Sequence, residues 1–123
     1  MIRLMWWLGL VLLVGAIAHS AGVVRLYLTA SVPEANRVLL DVWVAQAQLL
    51  AGALYVVAAR LARTGGPWRS LAVFGGVTII GFTGAMLPIL VHRAPVIFRL
   101  PLIVYSLLSL FIIVCALRLP AHR

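Results

Sequence analysis

Four long apolar runs constrain the fold of this chain more than any other feature. They cover residues 5–28, 38–61, 70–91 and 96–117, so each contains 22 to 24 residues. An α-helix of that length extends for about 33–36 Å, enough to cross a hydrocarbon core of about 30 Å with some tilt. The alternation of apolar and polar residues that a membrane β-barrel requires does not persist in any run. The sequence therefore predicts an all-α, polytopic membrane protein with four transmembrane helices.

The composition supports the same class of protein. Hydrophobic residues make up 65% of the chain and charged residues 10%, whereas a soluble domain is about half apolar and one quarter charged. A soluble domain of 123 residues has too much surface to hide this many apolar side chains. The length allows one small domain, and we predict a single transmembrane domain over residues 1–123.

Short links join the apolar runs. Between the second and third runs, Thr64-Gly65-Gly66-Pro67 is typical of a helix end followed by a turn. Links this short make neighbouring helices antiparallel. The sequence thus predicts an antiparallel four-helix bundle with both termini on one side of the membrane.

Arginine placement predicts the orientation. The chain has ten Arg and no Lys, a usage typical of GC-rich bacterial genomes. Positively charged residues favour the cytoplasmic side. We therefore expect a bacterial inner-membrane protein with cytoplasmic N and C termini. Six arginines would lie on the cytoplasmic side, and they are Arg3, Arg60, Arg63, Arg69, Arg118 and Arg123. The other four would lie on the opposite side, and they are Arg25, Arg37, Arg93 and Arg99.

The basic charge does not indicate nucleic-acid binding. No segment combines a solvated basic patch with interleaved aromatic residues, as nucleic-acid-binding modules do. The arginines lie near the ends of the apolar runs, where anionic lipid headgroups are found. Membrane lipids are therefore expected partners and nucleic acid is not.

Polar residues of all four runs fall at one depth. Counted from the outer end of each run, His19, Gln46, Gln48, Thr83 and Tyr105 lie about 12–15 Å below the surface, near the bilayer centre. Polar and ionisable residues at this depth are functional candidates by default. The candidate ligand-binding residues lie in this layer or just above it, and they are His19, Gln48, Tyr105, Arg25 and Asp41.

The second run shows which way its polar residues face. A stripe of small and polar residues with helical 4-3 spacing is expected to face the bundle, and it consists of Asp41, Ala45, Gln48, Gly52, Tyr55 and Ala59. Asp41 would then lie at the depth of Arg25, with which we expect an ion pair, and Arg99 is a rival partner.

Gln46 cannot face the same core as Gln48. The two residues are about 200° apart around a helix. An amide that faces lipid is unfavourable, so Gln46 is predicted to face another helix pair or another protein chain.

The sequence has little that indicates catalysis or a metal site. It lacks a Ser-His-Asp set, zinc-ligand spacing, a phosphate loop and paired carboxylates, and Cys115 is its single cysteine. His92 would be about 13 Å shallower than His19, which does not suit a haem held by both. A His19 bonded to Gln48 or Tyr105 within the bundle is the favoured interpretation, and a His19 that binds a quinone carbonyl is the alternative.

The layout resembles the DoxX-like small four-helix membrane proteins. The resemblance lies in Leu-Gly-Leu at 8–10, Gln-Leu-Leu-Ala-Gly at 48–52, Ala-Ala-Arg at 58–60 and the glycine-bearing third run after 68–69. It covers nearly the whole chain, mostly as hydrophobic pattern. It implies a small helical subunit associated with redox partners. Members of that family often carry an acid in the last span, and the fourth run here has none.

Three functions remain open. The first is a non-catalytic accessory or structural subunit of a larger inner-membrane complex, bound to other membrane subunits or to copies of itself. The second is a binding protein or enzyme that holds a lipophilic molecule, such as a quinone or a lipid, in an outward-opening polar cavity. The third is a homo-oligomeric transporter or channel, which would lack a carboxylate at the membrane centre for ion coupling.

Overall fold

The computed structural model describes residues 1–29, 35–93 and 96–118. The described residues form four helices and no strand, namely α1 (Ile2–Thr29), α2 (Ala35–Thr64), α3 (Arg69–Arg93) and α4 (Val96–Arg118). Every apolar run of the sequence lies inside one helix, and no predicted boundary differs from the observed one by more than three residues. The all-α prediction is confirmed.

All four helices have the length and composition of membrane-crossing helices. The apolar segments in the described residues are Ile2–Arg25, Val42–Thr64, Arg69–Leu87 and Leu100–Arg118, with mean hydropathies from 1.6 to 2.6. Their outward surfaces are apolar as well, since Ile17 is 68% exposed, Leu28 77% and Leu117 70%. Apolar side chains on the outside as well as the inside are what a lipid solvent selects. The molecule is a four-helix membrane protein.

The end of α2 is built by its glycines. Gly65 has a φ of 77°, a left-handed conformation that glycine adopts without strain. The backbone N–H of Gly66 donates to the carbonyl oxygen of Leu61 at 2.8 Å, and the Thr64 hydroxyl donates to the same oxygen at 3.2 Å. These bonds satisfy a carbonyl that the helix leaves unpaired. The predicted turn between α2 and α3 is confirmed.

α1 and α2 approach each other until their backbones touch. A Cβ atom added at Gly9 would lie 2.9 Å from the Gly52 carbonyl oxygen, and one added at Gly52 would lie 2.9 Å from the Gly9 carbonyl oxygen. Nearer the chain start, the Arg63 guanidinium lies 5.2 Å from the centre of the Trp6 ring. These contacts run in opposite chain directions, so the pair is antiparallel. Small residues at the crossing make this approach sterically accessible.

α3 packs between α2 and α4. Gly75 faces the Tyr55 ring on α2, with 3.2 Å between an added Cβ and that ring, and Gly76 faces Ile113 on α4 at 2.7 Å. About two turns further along α3, the Ser106 hydroxyl donates to the Thr83 hydroxyl oxygen at 2.9 Å. Together with the short turn after α2, these contacts establish the antiparallel order of the bundle.

The hydrophobic core lies toward the end of the bundle where α1 begins and α4 ends. Its buried members on α1 are Met5, Leu8 and Leu12, and on α4 Ile112 and Ala116. Toward the opposite end, the described buried side chains are few, chiefly Ala16, Ala45 and Gln48. The side chains at 26–27, 29, 35–41, 88–93 and 96–99 lie outside the described part of the structure.

Candidate functional site

Gln48 is the most buried polar side chain of the predicted mid-membrane layer. It is 8% exposed, and its Oε1 atom has no hydrogen-bond partner among the described residues. A Cβ atom added at Gly15 on α1 would lie 3.0 Å from this oxygen. The absence of a side chain at Gly15 therefore provides the space that the Gln48 amide fills.

The stripe predicted for α2 faces the bundle wherever the structure describes it. Ala45 is 6% exposed, Gln48 8% and Tyr55 fully buried, and Gly52 contacts α1. The side chain of Asp41, which begins the stripe, lies outside the described residues. The ion pair expected between Asp41 and Arg25 or Arg99 therefore stays a prediction. Arg25 itself is exposed near the end of α1.

His19 lies one helical turn beyond Gly15 on α1 and is half-buried. Helical side chains lean toward the N-terminus of their helix, so the His19 imidazole leans over the turn where Gly15 meets Gln48. Gln48 Oε1 accepts no hydrogen bond from a described residue, and the expected contact of His19 with Gln48 or Tyr105 stays a prediction. Tyr105 on α4 is half-buried and packs against the hydrophobic core.

Two hydroxyl pairs join the helices across the bundle. The Tyr55 hydroxyl donates to the Ser109 hydroxyl oxygen at 2.8 Å between α2 and α4, and both side chains are fully buried. The Ser106–Thr83 pair joins α4 to α3. The sequence predicts Thr83 in the polar layer and Tyr55 in the stripe that faces the bundle, but it does not predict the partner of either hydroxyl. Ser106 and Ser109 are three residues apart on one face of α4, a spacing that could have indicated both contacts.

Gln46 points away from the core. Its side chain is exposed, which confirms that Gln46 and Gln48 face different directions. It lines a groove between α1 and α2 that holds two adjoining cavities of about 240 and 350 Å³. Ser20, Val24 and Leu49 line both cavities. We call this surface the α1–α2 groove.

The α1–α2 groove is distinct from the predicted ligand residues. Its walls are mostly valine, leucine, isoleucine and alanine, with Ser20 and Gln46 as polar members. None of His19, Gln48, Tyr105 and Arg25 is among the described residues that line it. In the described helices, no three His, Cys, Asp or Glu side chains come together as a metal site.

The end of the bundle nearest the chain start is basic and aromatic. Arg63 stacks over Trp6 at 5.2 Å, and Arg69 lies 5.7 Å from the ring centre of its neighbour Trp68. Arg3 and Arg60 are exposed at the same end. Tryptophan and arginine at one level are typical of a membrane–water interface.

The fold and these surfaces define a small four-helix membrane protein with polar side chains at mid-membrane depth and an apolar groove between α1 and α2. Comparison with protein families, with characterised proteins and with solved structures finds no match for this chain. The resemblance to DoxX-like proteins therefore stays a prediction, and the function is argued from the described surfaces alone.

Proposed function

We propose that this protein is a small, non-catalytic subunit that helps to assemble a larger membrane complex. By the arginine placement, that complex belongs to a bacterial inner membrane, and both termini of this chain are cytoplasmic. The observation that carries the proposal is the exposed carboxamide of Gln46 in the membrane-crossing part of α2.

Gln46 lies within the membrane-crossing part of α2. It is 14 residues before Arg60 and eight residues after position 38, where the apolar run of the sequence begins. These separations are about 21 Å and about 12 Å along the helix axis. A carboxamide without hydrogen bonds in hydrocarbon is unfavourable by roughly 2–7 kcal/mol. A hydrogen-bonding group on a neighbouring transmembrane helix would remove that cost.

The α1–α2 groove fits a helix as its occupant. The groove is apolar along its length, and Ser20 adds a second hydrogen-bonding group near Gln46. The small side chains Ala16, Ala21 and Ala45 lie in its walls and permit close approach of another backbone. The partner we propose is a transmembrane helix with a polar side chain at mid-membrane depth.

Photocrosslinking from inside the membrane tests this function. A benzoylphenylalanine at Gln46 is expected to crosslink one protein species in native membranes, because the groove holds a defined helix. The same group at Leu107, which is 60% exposed on α4, serves as a lipid-facing control and is expected to give lipid adducts. The Gln46→Leu variant should lose stoichiometric co-purification of the crosslinked partner in mild detergent.

Three results would count against the subunit function. Lipid adducts alone at Gln46 would show that the groove faces the bilayer. Identical crosslinks from Gln46 and Leu107 would show random collision. A crosslink only to a second copy of this chain, in a symmetric ring, would favour the homo-oligomeric transporter instead.

Binding of a lipophilic molecule is the second candidate, and one observation favours it. The Gln48 oxygen is buried without a donor among the described residues, while His19 and Tyr105 are half-buried in the same predicted layer. A quinone or lipid that brings a donor to this layer, or accepts from His19, would satisfy those groups. Organic extraction of the purified protein, followed by mass spectrometry, is expected to recover such a molecule from the native chain and less of it from His19→Ala.

A further inference from the structure

Positive charge is concentrated at the packed end of the bundle without acidic neighbours. Both acids of the chain, Glu34 and Asp41, come just before α2 or in its first two turns. Asp41 precedes Arg60 by 19 residues, which is about 28 Å along the helix axis. The side chains of both acids are therefore too far away to neutralise the exposed arginines described at this end, which are Arg3, Arg60, Arg63 and Arg118.

Trp6 fixes the level of two of these arginines. The Arg63 guanidinium lies 5.2 Å from the Trp6 ring centre, and tryptophan side chains of membrane proteins concentrate at the interface. Arg63 is therefore at the level of the headgroups. Arg60 precedes it by three residues on the same helix, so its backbone is about 4.5 Å deeper. The Arg60 side chain is exposed, so protein does not cover it.

The direction of α2 brings both guanidinium groups toward the bilayer. Helical side chains lean toward the N-terminus of their own helix. α2 reaches this end with its C-terminus, so Arg60 and Arg63 lean back into the membrane. Arg3, in the first turn of α1, leans outward instead. A cation held at the lower edge of the headgroups needs a counter-ion at the same depth.

Arg60 and Arg63 also repel each other. Residues three apart on a helix are neighbours, and like charges there are destabilising. A single phosphate can accept hydrogen bonds from both guanidinium groups, which converts the repulsion into attraction, and the planar guanidinium suits bidentate binding of phosphate. The phosphate at the required depth is that of a membrane lipid.

We propose that Arg60 and Arg63, beside Trp6, form a binding site for the phosphate of an anionic phospholipid. The lipid is anionic because a zwitterionic headgroup would bring its own cation among the arginines. Phosphatidylglycerol carries the phosphate without that cation. The inference is independent of the subunit function, because the site lies about 21 Å from Gln46 along α2.

Lipid titration of the full chain tests the site. Protein in mild detergent is titrated with phosphatidylglycerol or phosphatidylcholine, and retained lipid is counted by native mass spectrometry. We expect phosphatidylglycerol to bind at least about tenfold more tightly than phosphatidylcholine, because the choline cation repels the two guanidinium groups. Arg60→Gln should weaken phosphatidylglycerol binding by about tenfold, because it removes one charge-assisted hydrogen bond to the phosphate.

Arg118→Gln is the matched control. It removes the same charge from an exposed arginine at the same end of the bundle, so we expect less than about a twofold change in affinity. Arg60→Lys keeps the charge but loses the bidentate geometry, and an intermediate affinity is expected. A helical circular dichroism spectrum checks that each variant is folded. If Arg60→Gln is not folded, Arg60→Lys tests the site in its place.

Specific outcomes would overturn the site. Equal affinity for the two lipids, or equal losses in Arg60→Gln and Arg118→Gln, would show only diffuse attraction to a basic surface. Inorganic phosphate that displaces phosphatidylglycerol at similar concentration would show an anion site open to water instead of a lipid site. No change in lipid affinity on replacing Arg60 would contradict the assignment directly.

Discussion

The Tyr55 hydroxyl and the Ser109 hydroxyl form the most buried polar contact that the structure describes between α2 and α4. When the contact is lost, the serine has another hydrogen-bond acceptor within reach and the tyrosine does not. A serine within a helix can donate to the carbonyl four residues earlier. The phenol of Tyr55 has no such local acceptor, because its hydroxyl is far from its own backbone. Removal of either partner should therefore have unequal consequences.

We expect Ser109→Ala to destabilise the fold more than Tyr55→Phe, although each removes a single oxygen. Ser109→Ala leaves a buried hydroxyl unsatisfied, at a cost of about 1–3 kcal/mol. Tyr55→Phe loses only the bond, worth about 0.6 kcal/mol on average between membrane helices. Steric-trapping measurements of unfolding in lipid micelles would give both values. Ser106→Ala, in the half-buried pair with Thr83, is the control and should cost less than Ser109→Ala. A larger effect for Tyr55→Phe would contradict this asymmetry.

Some residue-level features could be predicted from sequence and others could not. The opposite directions of Gln46 and Gln48 follow from their angular separation alone, and the structure confirms them. The partners of Thr83 and Tyr55 were not predicted. The Ser106–Ser109 spacing indicates a shared face of α4, but α3 and α4 are apolar around nearly their whole circumference, so the spacing does not show which residues that face meets. Without an amphipathic face, the rotation of a helix about its axis is not visible in its sequence.

At the scale of helices, the close crossing of α1 and α2 depends on two glycines. Each would place an added Cβ 2.9 Å from a backbone oxygen of the other helix, and a backbone cannot move aside as a side chain can. Gly15 differs, because the nearest atom to an added Cβ is the flexible Gln48 amide at 3.0 Å. At Gly22 an added Cβ meets no described atom within 4 Å.

These environments predict a graded response to alanine. Gly9→Ala and Gly52→Ala should each destabilise the bundle by roughly 1–3 kcal/mol through overpacking. Gly15→Ala should have a smaller effect. Gly22→Ala should be neutral or stabilise α1 by up to about 1 kcal/mol through helix propensity. Thermal unfolding of the four variants in one detergent provides the comparison. Equal effects at Gly9 and Gly22 would show that the backbone contact is not formed.

Among the features of the helices, their boundaries were the easiest to predict from the sequence. The length of each apolar run follows from the thickness of the bilayer, and the Gly65-Gly66-Pro67 sequence ends α2 by local conformational preference. The resulting ends agree with the structure to within three residues. Gly52 belongs to the stripe predicted to face the bundle, but its contact with Gly9 was not predicted, because a glycine in a sequence does not show which helix it faces.

For the whole molecule, the arrangement predicts that the chain ends lie on one side. In a Cys115→Ser background, cysteines at Arg3 and Pro67 should react with a membrane-impermeant maleimide from the same side. A cysteine at Ser31, in the link between α1 and α2, should react only from the opposite side. Labelling of intact and inverted vesicles measures this, and the arginine bias makes the first side cytoplasmic. Reaction of positions 3 and 67 from opposite sides would show that α1 and α2 do not both cross the membrane, which would exclude the arrangement with four crossings.

The position of the described core also has a mechanical consequence. The buried residues Met5 and Ala116 lie near the first turn of α1 and the last turn of α4, where the chain enters and leaves the bundle. A pulling force applied through the two chain ends would therefore act directly on this core. Extraction from the bilayer would meet the resistance of its packing at the first step.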